Sequence, residues 1–449
     1  MDQLFTTQGI TRLLVATVVG LVVAVALVRS QRASLYVLAA LLFFNALGLS
    51  EDFEKGVQTW LAPLQVANRW LVAASAGLLY LGAFAHKGKL DTKTLPGLGL
   101  GMMAMGVYMG LISIYHENAI SGMTSIFFAI FSMIAIFLAL GSTVKTWDDC
   151  TAVMRAFMLA GGAWTLGSVV QFFVNQNFLV MGNSRRFIGL MSNPQHAAGF
   201  CAVMATLCVW LVLNDRVKFY RVLAMFVGAT HIVFVLWTSS RTGLAVTIIG
   251  FTAVFYARMG RAVLFAPVIA AVGYGLLSAA ASMGVRFGFE RLTSTDDTRT
   301  HMWRRMWDSA MESPIVGVGL RDATGSENGF LYGFSLYGIG MPIIMLLLMF
   351  STIFVCAKLF HARFLTKDPV GKRVIDLTIG FFAMYWAGNM FEGYGVARIS
   401  PQLVFFLTFS CIATAAMAIV RAEQAEGLTD ESEFEPVDGY GEYTHELPT

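Results

Sequence analysis

The sequence predicts an all-α polytopic membrane protein with about 12–13 transmembrane helices and one long external loop containing an amphipathic helix. Three observations carry this. Of 449 residues, 57% are hydrophobic and 13% are charged, against about 45–50% and about 25% in an ordinary soluble domain. Apolar runs close to the roughly 20 residues that a bilayer core requires recur along the whole chain. The basic residues between those runs are sorted by side. A soluble domain, a disordered chain and a nucleic-acid binder are excluded on composition alone.

The apolar runs lie at 13–28, 35–50, 70–85, 95–115, 122–141, 156–174, 194–213, 222–238, 242–257, 262–282, 329–356, 375–391 and 401–420. The first does not read as a secretory signal, since no basic region precedes it and no small-residue cleavage site follows closely. The chain thus divides into helices one to ten (1–282), an external loop or lid (283–328), helices eleven to thirteen (329–420) and an acidic tail (421–449). From Glu423 onward the tail has nine acids and no basic residue but His445, which reads as disordered and cytoplasmic. Five scattered cysteines, Cys150, Cys201, Cys208, Cys356 and Cys411, form no CxxC pair and read as buried apolar residues.

Lysine and arginine favour the cytoplasmic side of short loops. Loops 29–34, 86–94, 142–155, 214–221, 257–261 and 357–374, with the tail from Arg421, hold 18 basic residues; the other side holds 13, six of them in the long loop. This places the C-terminus inside, and the N-terminus outside for thirteen spans or inside for twelve. The inner set contains eight Lys and ten Arg, whereas the outer set contains Lys55 and twelve Arg. Arginine carries a planar fork that binds phosphate through two parallel bonds, and lysine does not. The alternative is local pairing with acids in the same loops.

Three external segments concentrate the polar chemistry. In the first, Arg185 and Arg186 precede Asn193-Pro194, an N-cap and a first helical residue, so a helix N-terminus offers an anion site. His196 follows this cap and faces either the cavity or the packing. In the second, Arg241 sits in the tight Ser239-Ser-Arg-Thr-Gly243 turn, where a cavity-facing role competes with snorkelling to headgroups. The third is the long loop. Thr295 to Glu312 reads as an amphipathic helix with Trp303, Met306, Trp307 and Ala310 on one face and Arg299 one turn before Trp303. Arg304 and Asp308 are spaced to pair. Pro314 stops this helix, and Gly317-Val-Gly319 reads as a flexible return. The helix is either a lid over a cavity or a membrane-surface anchor.

Other polar residues carry plainer readings. His231 falls inside an apolar run, where a core hydrogen bond is expected. Asn389, Glu392 and Arg398 lie at the outer ends of the last two spans; Glu392 either lines a groove or pairs with Arg398. The methionines at 102, 103 and 105 have no His or Cys companions at ligand spacing, so no metal site is read there.

The order and spacing of these segments resemble the O-antigen ligase and O-antigen polymerase superfamily. The likeness rests on Arg186 with Gly189 and Asn193-Pro194, then Ser240-Arg241-Thr242-Gly243, Arg299-x-x-x-Trp303, Pro314-Ile-Val-Gly-Val-Gly319, and Glu327-Asn328 leading to Gly338. It covers roughly 180–345. The resemblance implies a multi-pass protein of the bacterial inner membrane with its active face periplasmic. It implies transfer of a glycan from undecaprenyl diphosphate to an acceptor hydroxyl, without cofactor, metal or nucleic acid. The acceptor is another repeat unit in polymerases and lipid A core in ligases. Membrane lipids and polysaccharide-assembly proteins are the further partners.

Carried over residue by residue, the resemblance nominates Arg186, Arg241 and Arg299 for the diphosphate, and Arg185, next to Arg186 ahead of the helix cap, joins them as a candidate by position. The motif matches set Asn193, Trp303 and Asn328 around the cavity, and His196, His301 and Arg304 are further cavity candidates by their positions beside these motifs. Where the family commonly has histidine, this chain has Glu327, the candidate base; His301 is a rival, and a mechanism without a dedicated base is the third alternative. Polymerase is the favoured reading because the ligase-type histidine is missing. A flippase for the same lipid is the rival from another class. It would carry charges through its spans, whereas here the mid-span stretches are nearly free of them.

Overall fold

The structure, a computed structural model, describes residues 22–48, 60–86, 97–116, 119–181, 186–260, 298–319, 327–394 and 400–432. The expected span at 262–282, the tail beyond 432, Arg185 and Arg398 lie outside the described residues. Within them the fold is helical: α1 (Ala33–Asn45), α2 (Ala62–Val66), α3 (Asn68–Ala85), α4 (Gly97–His116), α5 (Ala119–Thr143), α6 (Trp147–Asn175), α7 (Pro194–Asn214), α8 (Lys218–Trp237), α9 (Arg241–Met259), α10 (Thr298–Glu312), α11 (Gly329–Tyr337), α12 (Gly340–Leu365), α13 (Pro369–Asn389) and α14 (Pro401–Ser432). A two-stranded antiparallel ribbon, β1 (Val180–Met181) and β2 (Arg186–Phe187), joins α6 to α7.

Among the described residues, six stretches are long and apolar enough to cross a membrane: Gly97–His116, Trp147–Leu179, Pro194–Asn214, Lys218–Trp237, Gly340–Leu365 and Pro401–Glu426. The chain is thus a multi-pass helical membrane protein. Polar residues start several of these helices. Thr146 and Asp149 form a capping box before α6, and Asn193, Ser240, Asn328 and Asp368 cap α7, α9, α11 and α13. α7 and α14 are the most enclosed, and α7 packs on α8 and α9. α12 lies at the periphery. Its exposed face carries Ile343, Leu347, Phe350 and Phe354, a stripe suited to lipid rather than water.

The end of the bundle holding 214–217 and 366–369 is tied by ion pairs. Arg155 grips Asp215 through two nitrogens, at 2.7 and 2.6 Å, and Arg363 Nε donates to Asp376 at 2.6 Å. Glu423 accepts from Trp147 Nε1 at 2.8 Å and from Thr366 Oγ1 at 2.7 Å. This corrects the expectation of disorder for residues 421–432 alone: α14 continues to Ser432, and Glu423 within it has two partners on neighbouring elements.

A second correction concerns the eleventh run. It is not one span from 329 to 356 but two helices, broken at Gly338, whose φ is +76°. Nor is Gly317-Val-Gly319 a loose return. Val318 N–H donates to Ser335 O at 2.8 Å, Gly319 N–H to Leu336 O at 3.2 Å, and Ile339 N–H to Pro314 O at 2.9 Å. The segment after α10 therefore occupies carbonyls that the break leaves unpaired. Two backbones meet so closely here that a Cβ on Gly338 would fall 2.0 Å from Ile315 O, and one on Gly317 would fall 2.3 Å from the Leu336 carbonyl carbon.

Candidate functional site

The opposite end of the bundle collects five segments: β2, the α8–α9 junction, the start of α10, the start of α11, and the chain after α13. Asn193 Oδ1 accepts from Gln195 N–H at 2.7 Å, and Pro194 is the first residue of α7, as the sequence predicts. Gly189, with φ +59°, lets the preceding chain pass Trp164, whose ring would lie 2.4 Å from any Cβ there. This turn delivers Arg186 into a buried position, where its Nε donates to Thr238 O at 2.8 Å.

Thr238 ends α8, and Ser240 begins α9 by accepting from Gly243 N–H at 3.1 Å. Between them Ser239 takes a positive φ of +52°, an uncommon conformation for a residue with a side chain. The tight junction turns Thr242 inward. Its Oγ1 accepts from Arg299 Nη2 at 2.7 Å and donates toward Glu392 Oε1 at 3.4 Å. Arg299 also lies 3.4 Å from Glu392 Oε1 and over the Phe391 ring at 5.1 Å.

Glu392 is almost fully buried. Burial pushes its carboxyl up to about 8; Arg299 pulls it down, the neighbouring Glu327 pushes it up, and the Thr242 hydrogen bond and Arg186 pull it down more weakly. Loss of hydration outweighs two arginines because the stronger contact to Arg299 is long and single. Burial likewise pushes the Tyr394 hydroxyl upward, with Glu392 adding to it. That hydroxyl donates to Gln195 O at 3.2 Å, and the Tyr394 ring stands 5.6 Å from the His196 ring.

Asn328 joins two of the segments. Its Oδ1 caps α11 through Phe330 and Leu331 N–H, and its Nδ2 donates to Met390 O at 2.9 Å. Trp303 Nε1 donates to Glu327 O at 3.4 Å. α10 packs on α11 through buried Met306 and Ala310, with Trp307 edge-on to Phe334. The amphipathic face of α10 thus covers protein.

Contacts and charge interactions link Arg186, Arg299, Glu327, Asn328 and Trp303 to the Glu392 segment or to one another, and His196 meets it through the Tyr394 ring, whereas Asn193 serves as the cap of α7. The structure does not gather all the expected residues. Arg241 is exposed at the first residue of α9. His301 and Arg304 lie on the exposed face of α10, away from Arg299, and no ion pair joins Arg304 to Asp308. Arg185 falls outside the described residues. Glu392 pairs with Arg299, 93 residues away in the chain, whereas sequence spacing offered it Arg398. Its only sequence signal was a carboxylate directly after an apolar run.

Fold and site together define a multi-pass helical membrane protein with a buried arginine–carboxyl cluster at one end of the bundle. No protein-family model matches the sequence, and no curated protein matches it.

Proposed function

We propose that the chain is a glycosyltransferase of the bacterial inner membrane that extends a glycan carried on undecaprenyl diphosphate, a surface or exopolysaccharide polymerase. In this reading about 12–13 helices cross the membrane, residues 283–328 form the periplasmic loop, and the Arg186–Arg299 end of the bundle faces the periplasm. The observation that supports it best is the meeting of Arg186, Arg299, Thr242, Glu327 and Glu392 at one end of an apolar helical bundle. A lipid-linked substrate reaches such a place from the bilayer, and two fixed guanidinium groups suit a diphosphate.

The acceptor hydroxyl oxygen attacks C1 of the reducing-end sugar. The C1–O bond to phosphate breaks, and its electron pair leaves on the diphosphate. Arginines already in place stabilise that growing negative charge without reorganising. The hydroxyl proton passes to Glu327, the candidate base, whose backbone carbonyl accepts from Trp303 and which directly precedes Asn328. Direct displacement inverts the anomeric centre.

The test is the glycan left in a strain lacking this chain. Single repeat units on undecaprenyl diphosphate are the expected product. Long chains retained on that lipid would instead make the protein a ligase to lipid A core. An unaltered glycan profile would overturn the proposal in both forms.

A further inference from the structure

The carboxyl of Glu392 takes no part in the displacement described above, yet it touches a group that does. Its side chain is 4% exposed and that of Arg299 is 33% exposed, so Arg299 is the member of the pair that solvent or a ligand reaches. Thr242 links the two by accepting from Arg299 and donating toward Glu392. Both contacts use Nη2 of Arg299, and Phe391 takes one face of the guanidinium. A guanidinium has five N–H donors, and neither bond uses those on Nη1 or Nε.

The charges that face Glu392 come from several elements: Arg299 on α10, Arg186 on β2, Glu327 ahead of α11, and Tyr394 on its own loop. A diphosphate diester brings two more negative charges. With both glutamates ionised, four negative charges would meet two arginines, and Glu392 would compete for the guanidinium the ligand needs. A neutral carboxyl holds the same geometry without that competition.

We infer that Glu392 is a positioning residue for Arg299 and acts as a neutral carboxylic acid, fixing the guanidinium through Thr242 while leaving its charge to the diphosphate. The inference rests on the diphosphate reading above. Burial of Glu392, which pushes its carboxyl up to about 8, agrees with it. Ionisation at higher pH then restores the competing anion, so affinity falls as pH rises.

The probe is P1,P2-dibutyl diphosphate, a diester that keeps its two charges across the range, titrated into the full-length protein in detergent. Wild-type affinity is expected to fall about tenfold between about pH 7 and about pH 9, the limit for one group with a midpoint near 8 that is fully protonated in the complex. Glu392→Gln is expected to match the wild type at the lower pH and to lose the slope. Glu392→Ala is expected to bind more weakly at both. A Gln variant that keeps the wild-type slope, or an Ala variant that binds like the wild type, would overturn the inference while leaving the diphosphate reading intact. So would a Gln variant that binds with a flat profile but no longer transfers glycan, because Glu392 would then be handling a proton of the reaction. A wild type that does not bind the probe would refute the diphosphate reading itself.

Discussion

Replacing Arg299 separates its charge from its shape. In the wild type Nη2 donates to Thr242 at 2.7 Å, and the guanidinium carbon sits 5.1 Å from the centre of the Phe391 ring. Lysine keeps the charge but is shorter, has no planar fork and cannot lie flat on the ring. A hydrogen bond to a charged group contributes about 1.5–3 kcal/mol, and a half-exposed cation–ring contact adds about 0.5–1 kcal/mol. Allowing for overlap, Arg299→Lys removes about 2–3 kcal/mol from the oriented guanidinium, which corresponds to roughly 30- to 150-fold in kcat/KM. Arg299→Ala also removes the charge, and the loss of one preorganised donor to a developing anion alone costs about 10²–10³-fold. The expected order is therefore Arg, then Lys, then Ala. The assay is single-turnover extension of a synthetic lipid-linked repeat by purified protein, with melting temperature checked for each variant. If Lys and Ala fall equally, the charge of Arg299 is not used; wild-type rates for both would remove Arg299 from the site.

Three further outcomes are expected. Glu327→Gln should lose glycan transfer while retaining diphosphate binding, and full activity would move the proton acceptor to another residue. Gly338→Ala should lower stability by about 2–4 kcal/mol, since a positive φ and a backbone clash act together; its Cβ would lie 2.0 Å from Ile315 O. A wild-type melting curve in detergent would refute that account of the helix break. Asp215→Asn should cost about 2–3 kcal/mol by leaving Arg155 without its two-point partner, less than the about 3–5 kcal/mol of a fully buried pair because the Arg155 side chain is 25% exposed. Thermal unfolding should record the loss while diphosphate affinity stays within about twofold, because the pair lies at the far end of the bundle from Arg299.

Much of the frame was legible because its causes are local. Apolar runs of membrane length and capping residues such as Asn193 and Ser240 sit next to the helices they specify. Arg299 and Trp303 were legible as one face of an amphipathic helix for the same reason. Glu392 was not, because its environment is made by Thr242 and Arg299, which are 150 and 93 residues away. The break at Gly338 was hidden within a continuous apolar run. Only the docking of Pro314–Gly319 against it reveals why the glycine is there. Glu423 reads as tail in the sequence because its partners, Trp147 and Thr366, are distant along the chain.

The bonded contact between the Pro314–Gly319 segment and the Gly338 break also has a consequence for insertions. It pins the C-terminal end of α10 before the chain enters 320–326. Residues added after Gly319 would lengthen a connection whose two anchors are already fixed. Closing it costs only about 0.6 kcal/mol for each doubling in length. Arg299 would keep its place throughout. An epitope tag inserted there should report on topology without altering the chemistry.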